Sequence, residues 1–284
     1  MRLWRVLPLA RSLLASTLLS GCAANNTVAT LDQALQQATQ QGYASEEIAA
    51  GNFRLRAWLR PPTPVSTLNI YIEGDGAAWP SPYHPPFDPT PRRPVALSLA
   101  LADPASTASI IYLGRPCQYL DTAALAHCPL AYWTERRYAA EVIAAFDTAL
   151  DQLKSRHGAQ NLRLIGYSGG GVVATLLAAR RTDVHSLTTV AAPLALTTWL
   201  KLHEASPLIG SLDPGEIPPR TTPHTLAHAI HFVGSRDETV PAIVVETFVR
   251  QHGGHIKHIV DFDHDCCWAR DWPHLSTAAH MITR

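Results

Sequence analysis

From Phe53 to Arg60 apolar and basic residues alternate, Phe-Arg-Leu-Arg-Ala-Trp-Leu-Arg. A period of two predicts a strand with one exposed face, and Pro61-Pro62-Thr63-Pro64 ends it. Leu68-Asn69-Ile70-Tyr71-Ile72 predicts a second strand and Ser109-Ile110-Ile111-Tyr112-Leu113 a third. Between them lie a proline-dense stretch from Trp79 to Pro94, which reads as a surface loop, and a short helix opened by proline from Pro94 to Ala102. Tyr138, Val142, Ala145, Phe146 and Leu150 recur on one helical face, so a helix capped by Thr134 is expected to run to about Lys154. Further strands are expected at 161–166, Ser186 to Ala191, His228 to Gly234 and His255 to Phe262. Helices follow the first of these, span Pro241 to Arg250, and close the chain.

Strands that alternate with helices, joined by connections long enough to cross over, predict an α/β fold: a mostly parallel central sheet with helices on both faces. One domain over 53–284 accounts for this pattern. Residues 22–52 read as a tether with one short helix, since Leu31, Leu35 and Ala38 fall at helical spacing in a Gln-rich stretch. Leu194 to His224 is proline-rich and long enough for a small lid or insertion.

The first 21 residues read as a leader rather than as part of the fold. Arg2 and Arg5 precede an apolar run from Val6 to Leu19 that Pro8 and Arg11 interrupt, which suits a secretory signal better than a spanning helix. Leu19-Ser20-Gly21-Cys22 resembles the bacterial lipobox, which implies cleavage before Cys22 and lipid on its thiol. The plainer alternative is an ordinary signal with a chance cysteine. With Ala23 rather than Asp next, the resemblance implies an outer-membrane address, lipid-anchored and facing the periplasm.

Charge is balanced, 23 Lys plus Arg against 23 Asp plus Glu, so no basic footprint for nucleic acid is visible. The 14 histidines are scattered. His252, His255 and His258 come nearest to a ligand spacing but bracket Gly253-Gly254, and no metal site is assigned. Apart from Cys22, four cysteines remain in an oxidising compartment. Cys117 with Cys128 is the favoured disulfide, and the adjacent Cys266 and Cys267, whose direct bond would strain the intervening peptide, stay open.

The chemistry converges on 161–175. A short apolar run ends in Gly166-Tyr167-Ser168-Gly169-Gly170, and an uninterrupted apolar segment follows. Strand, sharp glycine-flanked turn and helix form the pattern that presents a nucleophilic serine; the plainer reading is a serine that caps the helix. A serine hydroxyl needs a base, and the base needs an orienting group. In parallel sheets such groups gather beyond the carboxyl ends of strands. Asp237 lies three residues past the strand ending at Gly234, with Glu238 as substitute. His264, in Asp263-His264-Asp265, follows the last strand, and His274 is its rival. Asp263 and Asp265, if close, would favour the imidazolium. Trp79, Tyr112, Tyr167 and Trp268 are open between packing and pocket lining.

The order Ser168, Asp237, His264 resembles that of the α/β-hydrolase superfamily over about residues 53 to 284, and Gly-Ser-Arg-Asp-Glu-Thr-Val-Pro resembles its acid loop. Gly-Arg-Pro-Cys-Gln-Tyr, Gly-Tyr-Ser-Gly-Gly-Gly and Asp-His-Asp-Cys-Cys-Trp are similar to segments of bacterial lipoprotein hydrolases of little-defined function. The resemblance implies a serine hydrolase, most simply a carboxylic ester hydrolase working through an acyl-enzyme on a small ester or acyl substrate without a cofactor. It also implies an oxyanion site formed by the amide of Gly169 and one from the loop after the superfamily's third strand, which here is the loop that follows Ile72. Where the superfamily often has His-Gly, this chain has Glu73-Gly74-Asp75-Gly76, leaving Asp75 and Gly76 as candidates, and the Asp75 carboxylate would have to face away. Two alternatives stand beside this one: an acyltransferase on the same site, and a non-catalytic envelope lipoprotein that uses the fold as a binding scaffold.

Overall fold

The computed structural model describes residues 28–77, 84–104, 109–218 and 224–282. The leader, Cys22 and Trp79 lie outside them. The order of elements is α1 (Leu31–Gln40), β1 (Ala44–Ala50), β2 (Phe53–Leu59), β3 (Thr67–Ile72), α2 (Val95–Ala102), β4 (Ser109–Leu113), α3 (Thr122–Leu125), α4 (Ala140–His157), β5 (Asn161–Tyr167) and α5 (Gly169–Ala178). Then come β6 (Val184–Val190), α6 (Leu196–Leu202), α7 (His224–Ala227), β7 (Ile230–Gly234), α8 (Ala242–His252), β8 (His255–Ile259) and α9 (Trp268–Ile282).

The strands form one sheet in the order β1-β2-β4-β3-β5-β6-β7-β8. β1 and β2 are antiparallel to their neighbours, and every pair from β4 to β8 is parallel. The expected mostly parallel α/β sheet is borne out. Its two faces follow from the period of the strands. Leu68, Ile70, Ile72, Leu162 and Leu164 point to a core shared with Phe146 and Leu150 of α4, Val173 and Leu177 of α5, and Phe248 of α8. The alternate residues Tyr71, Ile165 and Tyr167 point to a second core with Leu97 of α2 and Trp268 and Trp272 of α9. Helices therefore cover both faces, and the carboxyl ends of the parallel strands are left to carry loops.

Two elements differ from the sequence reading. The helix expected within 22–52 is α1, whose Thr30 and Gln33 form a reciprocal capping box. The strand β1 after it was not anticipated, because Ala-Ser-Glu-Glu-Ile-Ala-Ala carries little intrinsic strand preference. Pairing creates it: each residue from Ala44 to Ala50 faces one of β2, and Glu47 bridges to Arg54 and Arg56. Thr134 does not open α4, which begins at Ala140. Its hydroxyl turns back to Leu130 O at 2.9 Å, the Tyr138 amide donates to Ser211 Oγ, and the side chains of Arg137 and Tyr138 reach Asp75. These commitments hold 134–139 out of the helix.

Candidate active site

β5 ends at Tyr167 and α5 begins at Gly169, so Ser168 takes the whole turn at φ 49° and ψ −125°. A non-glycine residue with positive φ is held there by its surroundings. The Ser168 amide donates to Val190 O at 2.8 Å, and its carbonyl accepts from Gly171 at 2.9 Å. A Cβ on Gly166 would stand 2.4 Å from Gly170 O, and one on Gly170 2.1 Å from Ile72 O. Only glycine lets β5, α5 and β3 approach this closely. The Ser168 side chain makes no capping bond to α5, which leaves its hydroxyl for other partners.

Those partners arrive from two loops beyond strand ends. After β7, Asp237 sits in a turn whose amides bond to Gly234 and Phe262, and its Oδ1 accepts from the Val240 amide at 2.7 Å. The side chain is 0% exposed and its Oδ2 lies 2.9 Å from His264 Nδ1. His264 Nε2 lies 3.1 Å from Ser168 Oγ, across 96 residues of sequence. A carboxylate only accepts, so Nδ1 carries the proton and Nε2 is free to accept from the serine hydroxyl.

The His264 loop is braced on every side. Asp263 Oδ1 accepts from the amides of Asp265 and Cys266, and the indole of Trp268 donates to His264 O at 2.9 Å. Tyr167 OH donates to Asp265 Oδ1 at 3.0 Å, and its ring centroid is 5.4 Å from that of His264. Asp263 and Asp265 thus spend their carboxylates on the loop rather than on the imidazole. Cys266 and Cys267, the pair left open by sequence, are joined to each other across a cis peptide bond, and Cys117 is joined to Cys128. His274 lies exposed on α9, and Glu238 stands at the rim beside His264.

The loop after β3 closes the other side. Glu73 to Ala77, Tyr167, Ser168, Thr239 and His264 line one cleft of about 560 Å³. Among the described residues nothing accepts from the amides of Gly169, Asp75 and Gly76. Gly76, at φ +98°, is turned toward Pro89, whose carbonyl oxygen lies 1.7 Å from where a Cβ would stand. The Asp75 carboxylate is held by Arg115 at 3.1 Å, Arg137 at 3.0 Å and Tyr138 OH at 2.7 Å. Burial alone would raise its pKa, but the guanidiniums of Arg137 and Arg115 outweigh burial and hold it below the usual carboxylate range. Glu73 has no such counter-charge: burial pushes it up to about 7, against opposing hydrogen bonds from Gly74, Tyr112 and Ala96.

Arg115, Gln118, Arg137 and Tyr138 were not found from sequence. The Gly-Arg-Pro-Cys-Gln-Tyr segment carries a family resemblance, and nothing local in it says that it packs behind the loop of Gly74 and Asp75. Of the aromatic residues left open, Tyr167 lines the cleft, whereas Tyr112 and Trp268 are buried behind it. The described part of 194–224 packs on the loop after β7, with Trp199 Nε1 donating to Thr239 O at 2.7 Å, and on the segment before α4, with the Leu212 amide donating to Tyr138 O.

No family model matches the chain, and no curated protein sequence matches it. Solved structures do. An α/β serine hydrolase homologue from Coxiella burnetii is similar with a TM-score of 0.55 at 14% identity, over 85% of this chain and 96% of that one. Est1E from Butyrivibrio proteoclasticus gives 0.54 at 13% identity, over 84% and 99%. A proline iminopeptidase from Mycobacterium smegmatis gives 0.58 at 13% identity, over 84% and 97%. Together they show that the chain has the α/β-hydrolase fold.

Proposed function

We propose that this protein is a serine hydrolase that cleaves carboxylic esters through an acyl-enzyme. The observation that carries the reading is the continuous relay from Asp237 Oδ2 to His264 Nδ1, 2.9 Å, and from His264 Nε2 to Ser168 Oγ, 3.1 Å. Ser168 Oγ attacks the ester carbonyl while its proton passes to His264 Nε2, and Asp237 steadies the imidazolium. The tetrahedral oxyanion accepts from the amides of Gly169 and Asp75. Collapse expels the alcohol, which takes the proton from Nε2. Water then adds to the acyl-serine with His264 again as base, and collapse restores Ser168 and releases the acid. The likeness to esterases and other serine hydrolases supports this choice of chemistry.

The test is labelling with a fluorophosphonate probe, which traps an activated serine. Wild type should label and Ser168→Ala should not. Equal labelling of both would remove Ser168 from the mechanism, and a wild type that stays unlabelled would favour the non-catalytic scaffold. Esters of p-nitrophenol of increasing chain length then define the acyl group. Transfer to an added alcohol or amine in preference to water would convert the reading to acyltransferase.

The leader and Leu19-Ser20-Gly21-Cys22 support an address on the bacterial envelope, with a lipid anchor on Cys22 and the protein facing the periplasm from the outer membrane. Metabolic labelling with an alkynyl fatty acid should tag the wild type and not Cys22→Ala. A tag that survives the substitution would refute the anchor.

A further inference from the structure

Gly114 to Tyr119, the segment after β4, takes no part in the steps above, yet its side chains converge on the loop that carries Asp75. Gln118 is fully buried. Its Nε2 donates to Gly74 O at 3.1 Å, and its Oε1 accepts from the Arg115 amide at 2.9 Å. Arg115 Nη1 donates to Asp75 Oδ1 at 3.1 Å, while its Nη2 is fixed on Arg137 O. From the other side, Glu73 Oε1 accepts from the Gly74 amide at 2.9 Å and Glu73 Oε2 from Tyr112 OH at 3.0 Å, with Tyr119 OH beyond at 2.5 Å.

The Gly74 amide and the Gly74 carbonyl are therefore both held, whereas among the described residues nothing accepts from the Asp75 amide. In a trans peptide the carbonyl and the next N–H point in opposite directions. Gly74 O faces the buried Gln118, which does not line the cleft, so the Asp75 N–H points away from Gln118, in a loop whose Gly74 and Asp75 line the cleft together with Ser168. Cys117 and Tyr119, on either side of Gln118, have φ of 70° and 61°. Residues other than glycine adopt such backbone only where the surroundings impose it. Cys117 is tied to Cys128, which closes this loop at its base.

We propose that Gln118 is a positioning residue: by holding the Gly74 carbonyl it aims the Asp75 amide as the second oxyanion donor. This rests on the serine-hydrolase reading of Ser168. It gives the Gly-Arg-Pro-Cys-Gln-Tyr segment a role, and it explains how a loop with aspartate at this point serves an oxyanion. The aspartate side chain is drawn into the arginine pair while the amide of the same residue is presented.

Two substitutions separate the contacts. Gln118→Glu keeps the acceptor for Arg115 and loses the donor to Gly74, and Gln118→Met keeps the bulk and loses both. Each should lower kcat and the rate of fluorophosphonate labelling by about 10- to 100-fold, less than loss of an oxyanion donor outright, with KM within about threefold. Affinity for a trifluoromethyl ketone, which mimics the tetrahedral state, should fall in parallel with kcat/KM, as it would not if Gln118 served stability alone. Folded variants with unchanged kcat and inhibitor affinity would overturn the proposal while leaving the hydrolase reading intact. An unlabelled wild type would overturn both. A direct measurement needs no variant: in 15N-edited spectra of the wild type the Asp75 amide proton should move downfield when the phosphonate adduct forms. An amide that does not move refutes the role of Asp75 as donor.

Discussion

A Cβ placed on Gly169 would stand 1.9 Å from Asp75 Oδ1 and 2.7 Å from Tyr138 OH. The residue that follows the serine and the aspartate of the facing loop are thus in direct contact, and the contact is possible only because Gly169 has no side chain. The Asp75 carboxylate does not yield easily, being held by two guanidiniums and a phenol.

Gly169→Ala should therefore displace Asp75 rather than be absorbed. The expected outcome is a stability loss of about 1–3 kcal/mol, as for other overpacked sites, measured by urea unfolding. A drop in kcat of at least about tenfold should accompany it, because both amides proposed to hold the oxyanion belong to the residues forced apart. An alanine variant with wild-type kcat would show that the contact has no bearing on turnover.

Asp75→Asn removes the charge that Arg115 and Arg137 share. Their side chains are 4% and 13% exposed, so the two cations would remain close together and poorly hydrated. Breaking such a pair costs about 3–5 kcal/mol. Because the Asp75 side chain keeps 25% exposure, the lower end of that range is expected. A thermal midpoint within a degree of wild type would contradict it.

Asp237→Asn should separate orientation from folding. Its Oδ1 contact with the Val240 amide survives in asparagine, so thermal stability should change little. An amide facing His264 Nδ1 favours the wrong tautomer, and kcat should fall by about 10³- to 10⁴-fold. Steady-state kinetics beside a melting curve distinguish this from a variant that merely unfolds.

Glu73 supplies a pH signature. Its carboxyl is 1% exposed, and burial raises its pKa from 4.5 to about 7. Between these values the unfolded chain releases the proton while the folded chain retains it. Stability therefore falls as pH rises through this window and levels off above it. At 1.36 kcal/mol per unit the total is about 3 kcal/mol. Glu73→Gln lacks this titration, so its stability relative to wild type should be greater at pH 8 than at pH 4.5, as read by urea unfolding at the two pH values. A difference that does not vary with pH would exclude an elevated pKa at Glu73.

The local features were legible in the sequence for local reasons. Strand alternation, the glycines at 166 and 170, and the turn between β5 and α5 depend on sterics among residues within one turn of each other, so the chain states them directly. The positions of Asp237 and His264 past strand ends were legible too, because a parallel sheet sends such residues to one edge. What the sequence did not contain was direction. Asp75 looked unfavourable beside an oxyanion, and only the fold shows its carboxylate drawn off by residues 40, 62 and 63 positions away. Gln118 reaches Gly74 across 44 positions. β1 becomes a strand only because β2 pairs with it, and α4 starts late because Arg137 and Tyr138 are already committed to Asp75. Short-range sterics are written in consecutive residues, whereas the partners of buried charges and amides are fixed only when the sheet brings distant segments together.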